Sequence, residues 1–210
     1  MALELPEGLP AEAVGVFEVL GTARAIRYFR PDPIPESVIN QLIWAATRAP
    51  SPGNSQGWDF VVVDDRAALR RIGDALGAAM GPRIDQMTWT DDTSRRMLQG
   101  AKHLATTFGE APLAIFVCGP VCYPEAAPQE RFVWSATYPA AQNIVVAARA
   151  LGLGAVLTTF QGVVEPVIRE TLGIPDEIRI AATIPVGYPA APHGPVTRKP
   201  VAEVIHRNRW

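Results

Sequence analysis

Apolar positions along the chain alternate between two periodicities. Residues around 11–21 carry a helical pattern. From Pro35 to Ala49 the apolar set Val38, Leu42, Ala45 and Ala49 falls on one helical face, with a proline near the helix start. The β-branched run "DFVVVDD" then predicts a short strand. Helical patterns return at about 66–80 and 93–107, followed by "LAIFVCG" as a buried strand and a proline-rich loop from Gly119 to about Gln129. A very apolar helix ends near Leu151. Polar side chains are so scarce after Asn143 that burial on all sides is expected, and Pro139 either starts this helix or kinks it. "GAVLTTF" and "IRIAATIPVGYP" predict further strands, with a helix near 163–172 between them. The α/β alternation has no internal repeat and no low-complexity linker, and "GLG" before "AVL" fits a helix C-cap leading into a strand.

Composition narrows the function classes. At 210 residues and 48% hydrophobic content the chain can bury a substantial core, and one domain is expected. Net charge is −2 with no extended basic run, which argues against a nucleic-acid partner. The start, "MALELPEGLP", is acidic and lacks an apolar leader core, and the most apolar internal stretch is interrupted by Arg149 and glycines. A soluble, cytoplasmic protein without a membrane partner is expected. Two cysteines, Cys118 and Cys122, do not make a disulfide scaffold, and with three scattered histidines they form no zinc-ligand pattern. His103, His193 and His206 stand apart from any nucleophile elbow and are expected at the surface or in caps. Gly73, Gly77 and Gly81, four residues apart, suit close helix packing.

The remaining chemistry lies in anion- and amide-handling groups. "TARAIRYF" places Arg24 and Arg27 three residues apart, close enough for both guanidinium groups to point the same way. Arginine is the side chain best shaped to hold a phosphate through two donors. "VTRKP" adds Arg198 and Lys199. The stretch "APSPGNSQGWDF" packs two prolines, two glycines, two serines, an Asn and a Gln into twelve residues, more turn chemistry and donor capacity than a connection requires. Together these groups suit a phosphorylated, heteroatom-rich aromatic ligand.

In these segments the chain resembles the FMN-dependent nitroreductase family. They are "RAIRYF", the "PDPIP" helix entry, "RAPSPGNSQGW" against the family's Ala-Pro-Ser-x-x-Asn-Ser-Gln-Pro-Trp, "AAQNIVVAARALGLGAV", and a closing "VGYP" followed by "RKPVAEVIHRNRW". The match runs from about residue 18 to the C-terminus. The resemblance implies an α+β fold with a central mixed sheet flanked by helices, one FMN-binding domain over residues 1–210, and an intertwined homodimer with FMN at the subunit interface. It implies that Arg24 and Arg27 grip FMN, with Arg27 near the pyrimidine edge, and that Ser51, Pro52, Gly53 and Asn54 reach the cofactor from the other subunit. By the same resemblance Leu157, Thr158 and Thr159 present backbone N–H groups to the flavin, and Arg198 binds its phosphate. Ala25 stands where a Ser is common, Gly57 where a Pro is usual and Ala23 where many members have Arg. No catalytic side chain and no metal are implied.

The implied activity is hydride transfer from NADH or NADPH to flavin N5 and then to a small-molecule acceptor: a nitroaromatic, a quinone or another conjugated electrophile. A flavin-storage protein without turnover fits the binding segments equally well. The segment 82–96, with Met87 and Trp89, forms either a wall over the flavin or a plain surface hairpin. Residues 189–210 carry Val201, Val204, Ile205 and Trp210 in an irregular tail, which is expected to pack on the partner subunit.

Overall fold

Periodicity along β2 (Leu113–Pro120) shows how the molecule is layered. Leu113, Ile115 and Val117 enter one buried apolar cluster, while Ala114, Phe116 and Cys118 enter a second on the opposite face of the sheet. A strand covered on both faces has no polar side to show, which is why this segment is continuously apolar rather than alternating. The computed structural model describes residues 15–89 and 91–210.

Among the described residues the remaining elements are α1 (Val16–Thr22), α2 (Glu36–Ala46), β1 (Asp59–Val63), α3 (Arg66–Asp85), α4 (Asp92–Thr107), α5 (Arg131–Ala150), β3 (Gly154–Ala155), α6 (Gln161–Leu172) and β4 (Ile178–Gly187). The strand order is β1-β2-β4-β3. Helices α2 and α5 cover one face, and α3, α4 and α6 the other.

Every strand pairing among the described residues is antiparallel, which corrects the expected mixed sheet. The connections explain the direction. Val63 pairs with Ala114, so α3 and α4 carry the chain out and return it to the end where β1 finished. Pro120 pairs with Ile178, and α5 followed by α6 makes a second out-and-back excursion. A single crossover helix would have produced a parallel pair.

Local chemistry sets the boundaries. Asp65 caps α3 by accepting from the Ala68 amide at 2.7 Å, and Asp91 caps α4 through the Ser94 amide at 2.8 Å. Gly152 (φ 76°) and Gly173 (φ 66°) take the left-handed conformation after α5 and α6. Of the three spaced glycines, Gly73 packs against the backbone of Gly109 and Gly77 lies near Ala105, while Gly81 has nothing within 4 Å of its would-be Cβ.

Several expectations shift. The first helix is Val16–Thr22, and residues 11–14 of its expected span lie outside the described residues. In α2 the buried residues are Ile39, Gln41, Leu42 and Ala46, so the core stripe keeps Leu42 of the expected face, leaves Val38 and Ala45 half-buried, and is joined past the helix end by the expected Ala49, which is buried. Helix α5 continues through Pro139; its first part leaves Ser135, Tyr138 and Gln142 exposed, whereas after Asn143, from Ile144 to Ala150, every residue is buried or half-buried. "GAVLTTF" contributes two strand residues and one isolated bridge, Thr158 to Thr183. Val16, Phe17 and Leu20 on α1, Tyr138 on α5, and Val201, Val204, Ile205 and Trp210 in the tail remain exposed, Phe17 at 87% and Trp210 at 99%.

Candidate cofactor site

The segment between α1 and α2 lies across the outer edge of β3. The Ile26 amide donates to the Ala155 carbonyl at 3.1 Å, and Phe29 bridges Pro189. Two glycines permit this approach. A Cβ on Gly154 would sit 2.6 Å from Ile26 Cγ2, and one on Gly187 would sit 2.9 Å from Phe29 Cβ.

With Ile26 and Phe29 pinned, Arg24, Ala25 and Arg27 line one cavity of 260 Å³ together with Arg96 and Gly100 of α4. Arg27 is half-buried, and its pKa is lowered mainly by burial and secondarily by Arg24, with Tyr28 opposing. Among the described residues no carboxylate pairs with Arg24 or Arg27. Two unneutralised guanidinium groups facing one cavity form an anion receptor.

The same edge carries a second set of donors. Thr158 donates its amide to the Thr183 carbonyl at 2.9 Å and receives the Thr183 amide in return. Its N–H is therefore engaged within the sheet, which removes it from the expected donors to a ligand. Strand alternation turns Leu157 and Thr159 the other way, toward the edge on which Ala155 meets Ile26. Their amides have no backbone partner among the described residues. Arg198 belongs to the same end of the molecule: the Val196 amide donates to the Gly21 carbonyl, and Arg198 itself is exposed with one bond, to its neighbour Thr197.

The loop Ser51–Asn54 lies elsewhere. Pro52–Asn54 form a single 3₁₀ turn, and Gly53, Asn54 and Gln56 all have positive φ, at 61°, 51° and 49°. Ser51 organises the turn, its carbonyl accepting from the Asn54 amide at 3.0 Å and its hydroxyl from the Gln56 amide at 2.9 Å. Gly53 abuts the Tyr123 ring, and a Cβ on Gly119 would lie 2.6 Å from the Gly57 carbonyl. The loop thus sits at the Gly119 end of β2, whereas Arg24–Arg27 sit at the Leu113 end, where β4 pairs Val186 with Leu113. Eight residues of strand separate the two ends by roughly 23 Å. Within one chain the loop and the arginines do not meet.

Other side chains at or near this end of the sheet were not apparent from sequence, and His103 and Thr107 line a neighbouring cavity that shares Arg27 and Tyr28. His103, half-buried, stacks on the exposed ring of Tyr28 with ring centroids 3.9 Å apart. A Cβ on Gly100 would lie 3.3 Å from Arg27 Cδ, so this glycine makes room for the arginine. Arg96, Gly100, His103 and Thr107 recur at helical spacing on α4, a pattern that was present in the sequence without an indication of what it faces. Gln161 is buried, donating to the Ala181 carbonyl at 2.9 Å and accepting from the Thr183 hydroxyl at 3.3 Å. His193 is half-buried with both ring nitrogens shielded from solvent, and its pKa is lowered by burial and then by Arg149, with the Leu153 backbone opposing. Met87 and Trp89, between α3 and α4, are about half exposed. No helix among the described residues is long and apolar enough to cross a membrane.

Comparison with known proteins places these features in context. The family described as the nitroreductase family matches residues 20–188. A Methanothermobacter thermautotrophicus protein named as an NADH dehydrogenase/NAD(P)H nitroreductase is 30% identical over 93% of this chain and 87% of its own. A 5,6-dimethylbenzimidazole synthase of Rhodospirillum rubrum is 34% identical over 81% of this chain and 80% of its own. The crystal structure of oxidised iodotyrosine deiodinase bound to FMN and 3-iodo-L-tyrosine superposes with a TM-score of 0.76 at 20% identity, covering 93% of this chain and all of that one, a likeness of fold alone.

Proposed function

The chain belongs to the nitroreductase family, and on that premise we propose that it is an FMN-dependent oxidoreductase, assembled as a homodimer, that takes a hydride from NADH or NADPH. A nitroaromatic, a quinone or another conjugated electrophile then receives it in a second half-reaction at the same site. FMN supplies the hydride chemistry when bound, and the protein supplies binding, orientation and electrostatics.

The observation that carries this reading is the unneutralised pair Arg24 and Arg27 beside the open amide edge of Leu157 and Thr159. These residues fit the cofactor's chemistry. An anionic phosphate suits Arg24 with Arg198, and a ring edge that gains negative charge on reduction suits the half-buried Arg27. Burial strengthens the effect of Arg27 on nearby charge, and a guanidinium keeps its own charge at neutral pH. The outward amides of Leu157 and Thr159 are oriented donors for acceptor atoms on a bound ring. None of these groups moves a proton, so no acid–base residue is assigned.

The homodimer is supported by the separation of the two half-sites. A two-fold contact that lays the Ser51–Asn54 loop of one chain against Arg24–Arg27 of the other completes two equivalent sites at once. It would also offer a cover for Val16, Phe17, Leu20 and the apolar tail residues, each of which stands exposed in the single chain.

Purification followed by reconstitution with FMN or FAD, then steady-state oxidation of NADH and NADPH with menadione and a nitroaromatic, tests the reading. The expected result is a yellow protein preferring FMN over FAD and turning over with at least one acceptor. Failure to bind FMN refutes the cofactor assignment. FMN binding without turnover would leave a flavin-holding protein instead.

A further inference from the structure

Arg96 is the third guanidinium on the cavity lined by Arg24 and Arg27, and it comes from a different element, α4. Its Nε donates to the Asp92 carbonyl at 3.2 Å, which fixes the base of the group. No partner engages its two terminal nitrogens among the described residues. The neighbouring acids are engaged elsewhere: Asp91 caps the helix through the Ser94 amide, and Asp92 pairs with Arg95 at 2.8 Å. Gly100, one turn further along α4, keeps the cavity floor free of a side chain. The cavity therefore holds three cations and no lining carboxylate.

In the reading above, Arg24 and Arg27 are assigned to the cofactor. Arg96 remains, an exposed side chain that lines the same 260 Å³ cavity and whose terminal nitrogens offer a two-pronged donor edge. Resting on that reading, we propose that Arg96 determines specificity by selecting a reaction partner that bears an anionic group, a carboxylate or a phosphate, held beside the cofactor. The anion has two possible sources, a carboxylate on the electron acceptor or the 2′-phosphate that distinguishes NADPH from NADH.

The test uses the FMN-loaded protein with Arg96→Gln, Arg96→Glu and Arg96→Lys. One arm compares 4-nitrobenzoate with nitrobenzene at fixed NADH, and the other compares NADPH with NADH at fixed menadione. Calorimetric titration with benzoate and with 2′-AMP adds a readout that does not depend on turnover. In one of the two arms Arg96→Gln should raise KM for the anionic partner about tenfold, the loss of one charge-assisted contact, with kcat little changed. The uncharged or unphosphorylated counterpart should be unaffected, Arg96→Lys should restore part of the effect and Arg96→Glu should exceed it. The matching probe, benzoate or 2′-AMP, should lose affinity in the same order.

Equal effects on charged and neutral partners, no effect on either probe, or weakened FMN binding in Arg96→Gln would each overturn the proposal, the last by assigning Arg96 to the cofactor cradle. Turnover with neutral acceptors reports on the proposed activity alone. A wild type that binds benzoate or 2′-AMP through Arg96 yet reduces nothing would refute that activity while supporting this inference.

Discussion

Replacing Gln161 with Met tests whether a buried amide holds the open edge in place. Strand β4 carries one residue more than β2 between Ala182 and Ile180, so Ala181 has no register partner. The Gln161 side chain fills that gap. Its Nε2 donates to the Ala181 carbonyl at 2.9 Å, while its Oε1 accepts from the Thr183 hydroxyl at 3.3 Å. Thr183 in turn exchanges both backbone bonds with Thr158.

Methionine keeps the volume and removes both bonds, stranding a buried carbonyl at about 1–3 kcal/mol and losing a hydroxyl contact worth about 1 kcal/mol. Better burial of the thioether offsets part of this loss. The expected net cost is about 2–3 kcal/mol, read by urea denaturation with an unchanged m-value. Thr183→Val shares one of the bonds, so the double variant should be less destabilised than the sum by about 1 kcal/mol. Hydrogen exchange at the Thr158 amide should accelerate in step. A cost below about 0.5 kcal/mol, or strict additivity with Thr183→Val, would refute the reasoning.

Gly73→Ala should cost about 1–3 kcal/mol because its Cβ lands on the Gly109 backbone, whereas Gly81→Ala, with nothing within 4 Å, should be neutral or stabilising by up to about 1 kcal/mol; parallel urea curves decide it. Arg27→Ala should lower the flavin potential, with up to about 2–4 kcal/mol of electrostatic support lost, more than it weakens FMN affinity, while Arg198→Ala should weaken FMN binding with little change in potential. Identical effects of the two variants on potential and on FMN titration would contradict the division of roles. Burial pushes the Cys118 thiol up to about 12. An unfolded thiol ionises near 8.5, so the unfolded state holds fewer protons between there and pH 12, and Cys118's contribution to stability falls by about 1.4 kcal/mol per pH unit as pH rises through that window. Cys118→Ala should abolish that part of the slope in urea curves taken from pH 8 to 10.5, and iodoacetamide at pH 8 should label the exposed Cys122 alone in the native protein. Truncation before Ala202 should weaken the dimer and its FMN content in sedimentation at micromolar concentration; a stable, fully loaded dimer would show that the tail secures neither.

What sequence conveyed best was whatever depends on near neighbours. The continuous apolar run of β2 announced a strand covered on both sides, Gly152 announced the end of α5, and the crowding of Ser51, Gly53, Asn54 and Gln56 announced an unusual loop, which the three positive φ values bear out. Errors arose where a distant segment decides. In α2 the core stripe turned from Val38 and Ala45 toward Ile39 and Ala46 because the helix is positioned by α5, and Asn143 of α5 donates to the Ala45 carbonyl at 2.9 Å. Composition could not reveal that Thr158 bonds inward to Thr183, since inward and outward positions of an edge segment follow from its register against β4. Gln161 is polar at the start of an amphipathic helix, where exposure is the ordinary fate, and only the extra residue at Ala181 gives it an acceptor.

The candidate site shows the same division at larger scale. The family resemblance assigns Arg24 and Arg27 to one subunit's share of the site and the Ser51–Asn54 loop to the other's, a division that residue spacing alone does not convey. The sheet separates them. The segment holding the arginines is drawn to β3 by the Ala155 carbonyl and the two glycines, Gly154 and Gly187, while the loop is drawn to the far end of β2 by the close approach of Gly57 to Gly119. Both attachments are made of backbone and small residues, so neither half has slack to reach the other across roughly 23 Å of strand. If both halves serve one ligand, the second half comes from another copy of the chain. The dimer is then a condition of the proposed chemistry as well as a cover for apolar surface, and FMN affinity should fall with dilution as the dimer dissociates.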